Sequence, residues 1–111
     1  MTRTRLPDRR PSETCKITFR YENDREQKIL ITIGFDSSGA PKEVFCADFK
    51  AGTTLHSIVM DACILVSRML QHGDDPIELV NSMCRPHSLI GVILAAVAEY
   101  AGEEAVAEVV A

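Results

Sequence analysis

The stretch GTTLHSIVMDACILVSRMLQHG, from Gly52 to Gly73, constrains this chain more than any other. It reads as a helix with both ends written in. Thr53 or Thr54 can accept a backbone N–H at the start, and Gly73 suits the left-handed residue that closes a helix. At about 100° per residue, Leu55, Ile58, Val59, Ala62, Val66, Met69 and Leu70 gather on one broad face. Ser57, Asp61 and Arg68 lie opposite, with Met60 and Ile64 among or beside them. The spacing predicts a helix over 54–72 whose broad face packs on a sheet. Met60 and Ile64 form a second apolar strip, which calls for another helix or a second copy of the chain.

Upstream the period changes to two. Cys15, Ile17, Phe19 and Tyr21 alternate with Lys16, Thr18, Arg20 and Glu22, which predicts a half-buried strand over 14–22. Ile29, Ile31, Ile33 and Phe35 alternate in the same way over 28–35. Asp36-Ser37-Ser38-Gly39 is a turn, because Asp and Ser bond nearby backbone and Gly accepts positive φ. A third strand is expected over 41–49. Both its faces are apolar, Val44 with Cys46 and Phe45 with Ala47 and Phe49, so it should be central or lie under a partner. Phe45 and Phe49 therefore join Met60 and Ile64 as candidate partner contacts.

Downstream, Asp75 is a natural N-cap, Pro76 suits the first helical position and Glu78 completes a capping box, giving a helix over 76–84. Ser88 caps a third helix over 88–101, with Leu89, Ile90, Ile93, Leu94, Val97 and Tyr100 on a wide apolar face. That face could also cover Met60 and Ile64. Three strands followed by three helices is the order of a two-layer α+β domain built on a three-stranded antiparallel meander.

At 111 residues the chain is long enough for one core. Four Phe, two Tyr and no Trp leave few platforms on which single-stranded nucleic acid could stack. Ten Lys or Arg and eight acids leave +2 over residues 1–50, whereas two Arg and eight acids leave −6 over 51–111. The second half is thus a poor polyanion surface. Residues 1–13, with Arg3, Arg5, Arg9 and Arg10, read as a flexible basic arm. The alternative is a module that binds nucleic acid or a nucleotide through this arm and through Lys16 and Arg20. No secretory h-region precedes the four cysteines, and the run over 89–98 is about half a membrane span. A cytoplasmic chain with reduced thiols and no membrane partner is expected.

Catalytic chemistry finds no foothold. There is no nucleophile elbow, phosphate loop or paired-carboxylate motif, so no catalytic residue and no cofactor is expected. His72 in the last turn of its helix is explained by the helix dipole. For metal, Cys84 and His87 have ligand-like spacing, and Cys46, Cys63, His56 and His72 could complete a set for a small zinc-stabilised module. A structural zinc site usually brings two close pairs, and here there is one.

In order and spacing, LPDRRPSET, SSGAPKEVFC, the long helix, DPIELVNSMC and SLIGVILAAVAEY resemble the TSCPD domain over about residues 5–101. More narrowly, they resemble its small stand-alone form of ribonucleotide-reductase-like type. The matching positions are Gly39, Glu43, Val44, Phe45, Gly52, Asp61, Ser67, Gln71, Gly73, Ser88 and Gly91. The resemblance implies one domain over 14–111, similar to the C-terminal module of adenosylcobalamin-dependent ribonucleotide reductases and also found alone in bacteria. It further implies an accessory or assembly role in deoxyribonucleotide synthesis, with a reductase catalytic chain or a second copy as partner. Two departures follow. Leu89-Ile90-Gly91 stands after Ser88 where the family's Cys-Pro-Asp would be, and Cys84 resembles a separate family cysteine, so a role needing both lacks one. The chain also lacks the large barrel, its radical cysteine and a cobalamin site, so it is not expected to reduce a ribonucleotide alone.

Overall fold

The computed structural model describes residues 11–47, 49, 52–84 and 88–101 of the chain. Strands β1 (Ser12–Arg20), β2 (Glu26–Phe35) and β3 (Pro41–Cys46) precede helices α1 (Thr54–Gln71), α2 (Pro76–Asn81) and α3 (Leu89–Ala98), and a 3-10 turn follows over Glu99–Ala101. The arrangement is α+β, a three-stranded antiparallel sheet followed by helices.

The strands form a meander in the order β1-β2-β3, so the middle strand is central. Cys15 stands opposite Ile31, Ile17 opposite Ile29, Ile33 opposite Val44 and Ile31 opposite Cys46. One face of the sheet therefore carries the apolar set, because side chains alternate with period two. Ile29, Ile31 and Ile33 are fully buried, and each such side chain contributes ~1.5–3 kcal/mol relative to exposure. Val59, Cys63, Val66 and Leu70 of α1 and Ile93, Leu94 and Val97 of α3 complete one continuous core. On the opposite face the Thr14 and Thr32 hydroxyls pair at 3.0 Å.

The turns follow their residue chemistry. Asp24 holds positive φ in the β1–β2 connection, where the Asp24 N–H donates to the Tyr21 carbonyl at 3.0 Å. The Asp36 carboxylate accepts from the backbone N–H groups of Ser38 (2.9 Å) and Ala40 (3.0 Å), and Gly39 takes φ +86°. β1 starts earlier than the alternation indicated, because Ser12 is registered against Gly34 and the Phe35 N–H donates to the Pro11 carbonyl. β3 ends at Cys46, short of the strand expected to reach residue 49.

The helix ends are those written in the sequence. Thr53 Oγ1 accepts from the His56 N–H, the Asp75 carboxylate from the Ile77 N–H and Ser88 Oγ from the Gly91 N–H. Gly73, at φ +100°, closes α1. Its N–H bonds the Leu70 carbonyl and the Asp74 N–H reaches the Met69 carbonyl, the paired closure of a Schellman motif. α2 stops at Asn81, sooner than expected, with Ser82 Oγ donating to the Glu78 carbonyl.

Of the two places expected for β3, central or under a partner, it takes the second: it is an edge strand whose outer edge is covered by α1, which packs chiefly on it. One packing expectation is corrected: the buried side of α1 is turned away from the face that apolar periodicity selects. Leu55, Ile58 and Met69 are exposed, while Cys63, Ser67 and Gln71 are buried beside Val59, Val66 and Leu70. α3 leaves Ile64 exposed and packs chiefly against α2 and β1.

Candidate functional site

Among the described residues, four side-chain hydrogen bonds join α1 to the outer edge of β3 in a seam. An edge strand presents unpaired N–H and C=O groups, and burying them requires partners. Ser67 Oγ accepts from the Val44 N–H at 3.0 Å and donates to the Val44 carbonyl at 3.3 Å. One turn on, Gln71 Nε2 donates to the Lys42 carbonyl at 3.1 Å. The periods match: four helical residues advance ~6 Å, and two strand residues advance about 6.6–6.8 Å. Lys42 Nζ donates to the Leu70 carbonyl at 3.1 Å, placing a cation at the C-terminal end of α1. Glu43, also buried, lies across Gly34, and a Cβ at Gly34 would overlap its side chain.

The positions that carried the sequence resemblance therefore have structural work to do. Gly39, Gly52 and Gly73 take positive φ. Val44, Ser67 and Gln71 meet in the seam, Glu43 is buried across Gly34, Ser88 caps α3 and Gly91 is buried three residues later. Phe45 and Asp61 are the exceptions. Phe45 is about half exposed on the open face of the sheet, and Asp61 is exposed on α1 with its side chain bonded to no other described residue.

Around Asp61 the surface is unusually apolar. Leu55, Ile58, Leu65 and Met69 are 38%, 56%, 61% and 40% exposed. With half-buried Ala62 between them, they recur at alternating steps of three and four, a single stripe along the helix. Leu65 falls on neither of the faces that apolar periodicity selects; the three–four alternation is the signal in the sequence that picks it out. Of the expected partner contacts, Ile64 and Phe45 are about half exposed and Met60 is half-buried. Phe49 is buried in the core and offers no surface, a correction that follows from its turning inward past the end of β3.

The thiols are free and unequal. Cys46 and Cys63 are buried, Cys15 is half-buried and Cys84 is exposed. Burial pushes the Cys63 thiol up to about 11 and also raises that of Cys15. Tyr100 is pushed up to about 12, first by its hydrogen bond to Glu13 and then by burial. Its ring stacks edge-on against Phe35 at 5.5 Å. Asp36 is held below the ordinary carboxylate range by the Ser38 hydrogen bond. As metal candidates, Cys84 lies just beyond α2 and His87 lies outside the described residues; among those residues no three His, Cys, Asp or Glu side chains cluster as a cage. The arginines of the basic arm, within residues 1–10, are likewise outside them. On β1, Arg20 is engaged by Glu26 at 2.6 Å. No helix among the described residues is long and apolar enough to cross a membrane.

A family model described as the TSCPD domain matches residues 2–101. No curated protein and no solved structure matches the chain.

Proposed function

The chain belongs to the TSCPD domain family, and from that premise we propose that it is a non-catalytic accessory or assembly domain acting by protein–protein contact. The family is associated with ribonucleotide-reductase-like proteins, so the partner class is a reductase-like catalytic chain serving deoxyribonucleotide synthesis. The observation that carries this reading is the match over residues 2–101, nearly the whole chain. Two features support it. The buried polar side chains Ser67 and Gln71 are used to close the α1–β3 seam. The conspicuous surface feature is an apolar stripe, which suits binding another protein surface.

The test is capture of a reductase catalytic chain by the tagged full-length protein, from purified components at micromolar concentration. Retention that survives moderate salt supports the role. Failure at low salt, with both proteins folded by circular dichroism, overturns it. The chain alone is expected to show no ribonucleotide reduction.

A further inference from the structure

We infer that α1 is also the contact through which two copies of this chain pair, with their α1 helices antiparallel about a two-fold axis. This goes beyond the assembly role above, which needs no second copy. The stripe of Leu55, Ile58, Ala62, Leu65 and Met69 follows the three–four spacing with which one helix packs along another. It runs for about 21 Å, at 1.5 Å per residue. On one side it is bordered by Val59 and Val66, which are buried in the chain's own core. On the other it is bordered by Asp61 and Arg68, both exposed and neither bonded to another described side chain.

Those two charges decide the occupant and its direction. In an antiparallel pair whose axis passes between the levels of Ala62 and Leu65, Ile58 meets Met69 of the second copy. Ala62 meets Leu65, so a small side chain faces a large one throughout the centre. The outer border then places Asp61 of each copy beside Arg68 of the other, twice by symmetry. A parallel pair in register would set Ala62 on Ala62 and leave a gap. It would also face the charged border with Val59 and Val66, leaving both charges unmatched. The surface is thus complementary to itself in one orientation. The other route to self-association at this end of the sheet, pairing of β3 edges, is closed by Ser67 and Gln71.

A single helix pair is small beside the roughly 1,200–2,000 Å² of standard interfaces, so the dimer should depend on concentration. The test is sedimentation equilibrium of the full chain from about 1 µM to about 500 µM. The mass should rise from 12.2 kDa toward twice that value. Leu65→Glu, at an exposed position, should weaken dimerisation at least tenfold without changing the circular dichroism. Asp61→Arg alone and Arg68→Asp alone should each weaken it several-fold, and the double exchange should restore it to within about twofold. A chain that stays monomeric throughout overturns the proposal, whatever else covers the stripe. A dimer indifferent to Leu65→Glu, or one the double exchange does not restore, overturns it equally. Because only the purified chain is used, the outcome is independent of whether a reductase chain is ever captured.

Discussion

Ser67 is the residue on which the packing of α1 turns. A serine in mid-helix is ordinarily solvated, yet here its hydroxyl serves both backbone groups of Val44. Ser67→Ala should cost ~1–3 kcal/mol, the penalty of leaving buried groups unpaired, read as a lower urea midpoint. Asp61→Ala, on the exposed side of the same helix, should stay within ~0.5 kcal/mol. Gly34→Ala should also destabilise, by ~1–3 kcal/mol, because Glu43 must be displaced from a buried position. Among the thiols, Cys84 should react rapidly with a disulfide reagent at neutral pH, while Cys46 and Cys63 should react only on unfolding. The alkaline limit has a defined sign. Folding favours the neutral forms of Cys63 and Tyr100, so their contribution is complete below the ordinary values of 9.0 and 10.0. It is lost as pH rises through about 11 and about 12. A tyrosine ionising near pH 12 should disappear from the absorbance titration in Tyr100→Phe. Asp36 has the opposite sign: its contribution is present above 3.8 and lost as pH falls.

At the scale of elements, α1 does two jobs with two faces. It supplies Val59, Val66 and Leu70 to the core and seals the β3 edge with Ser67 and Gln71. The seal predicts a local dynamic signature. The Val44 amide should exchange slowly in the native protein and at least about tenfold faster in Ser67→Ala, more than global destabilisation alone explains, since its acceptor is gone. β1 is the other edge, and there the charged Lys16 and Arg20 on an exposed strand discourage pairing with a neighbour. Apolar counting placed Leu55, Ile58 and Met69 inward because it treats every polar residue as outward-facing. An edge strand reverses that rule locally, since its backbone is more polar than the side chains it draws in.

For the whole molecule, one continuous core links the sheet with α1, α2 and α3. Thermal unfolding should therefore be a single transition, coincident by circular dichroism and calorimetry. Two transitions would mean that α2 and α3 form a unit separable from the sheet. What remains outward is uneven, with an apolar stripe on α1 and Leu30 and Phe45 on the open face of the sheet. On the role proposed above, this exposed apolar surface is what the domain would offer to a partner.

The element order, the alternation of β2 and the residues that cap α1, α2 and α3 were all determined by the sequence alone. They depend on neighbours a few positions away, and local chemistry fixes them. The rotation of α1, the placing of β3 at an edge and the inward turn of Phe49 were decided only in the tertiary structure. The demand that buried Ser67 and Gln71 answer comes from Val44 and Lys42, more than twenty residues away in the chain. No periodicity within one helix can register the unpaired backbone of a distant strand.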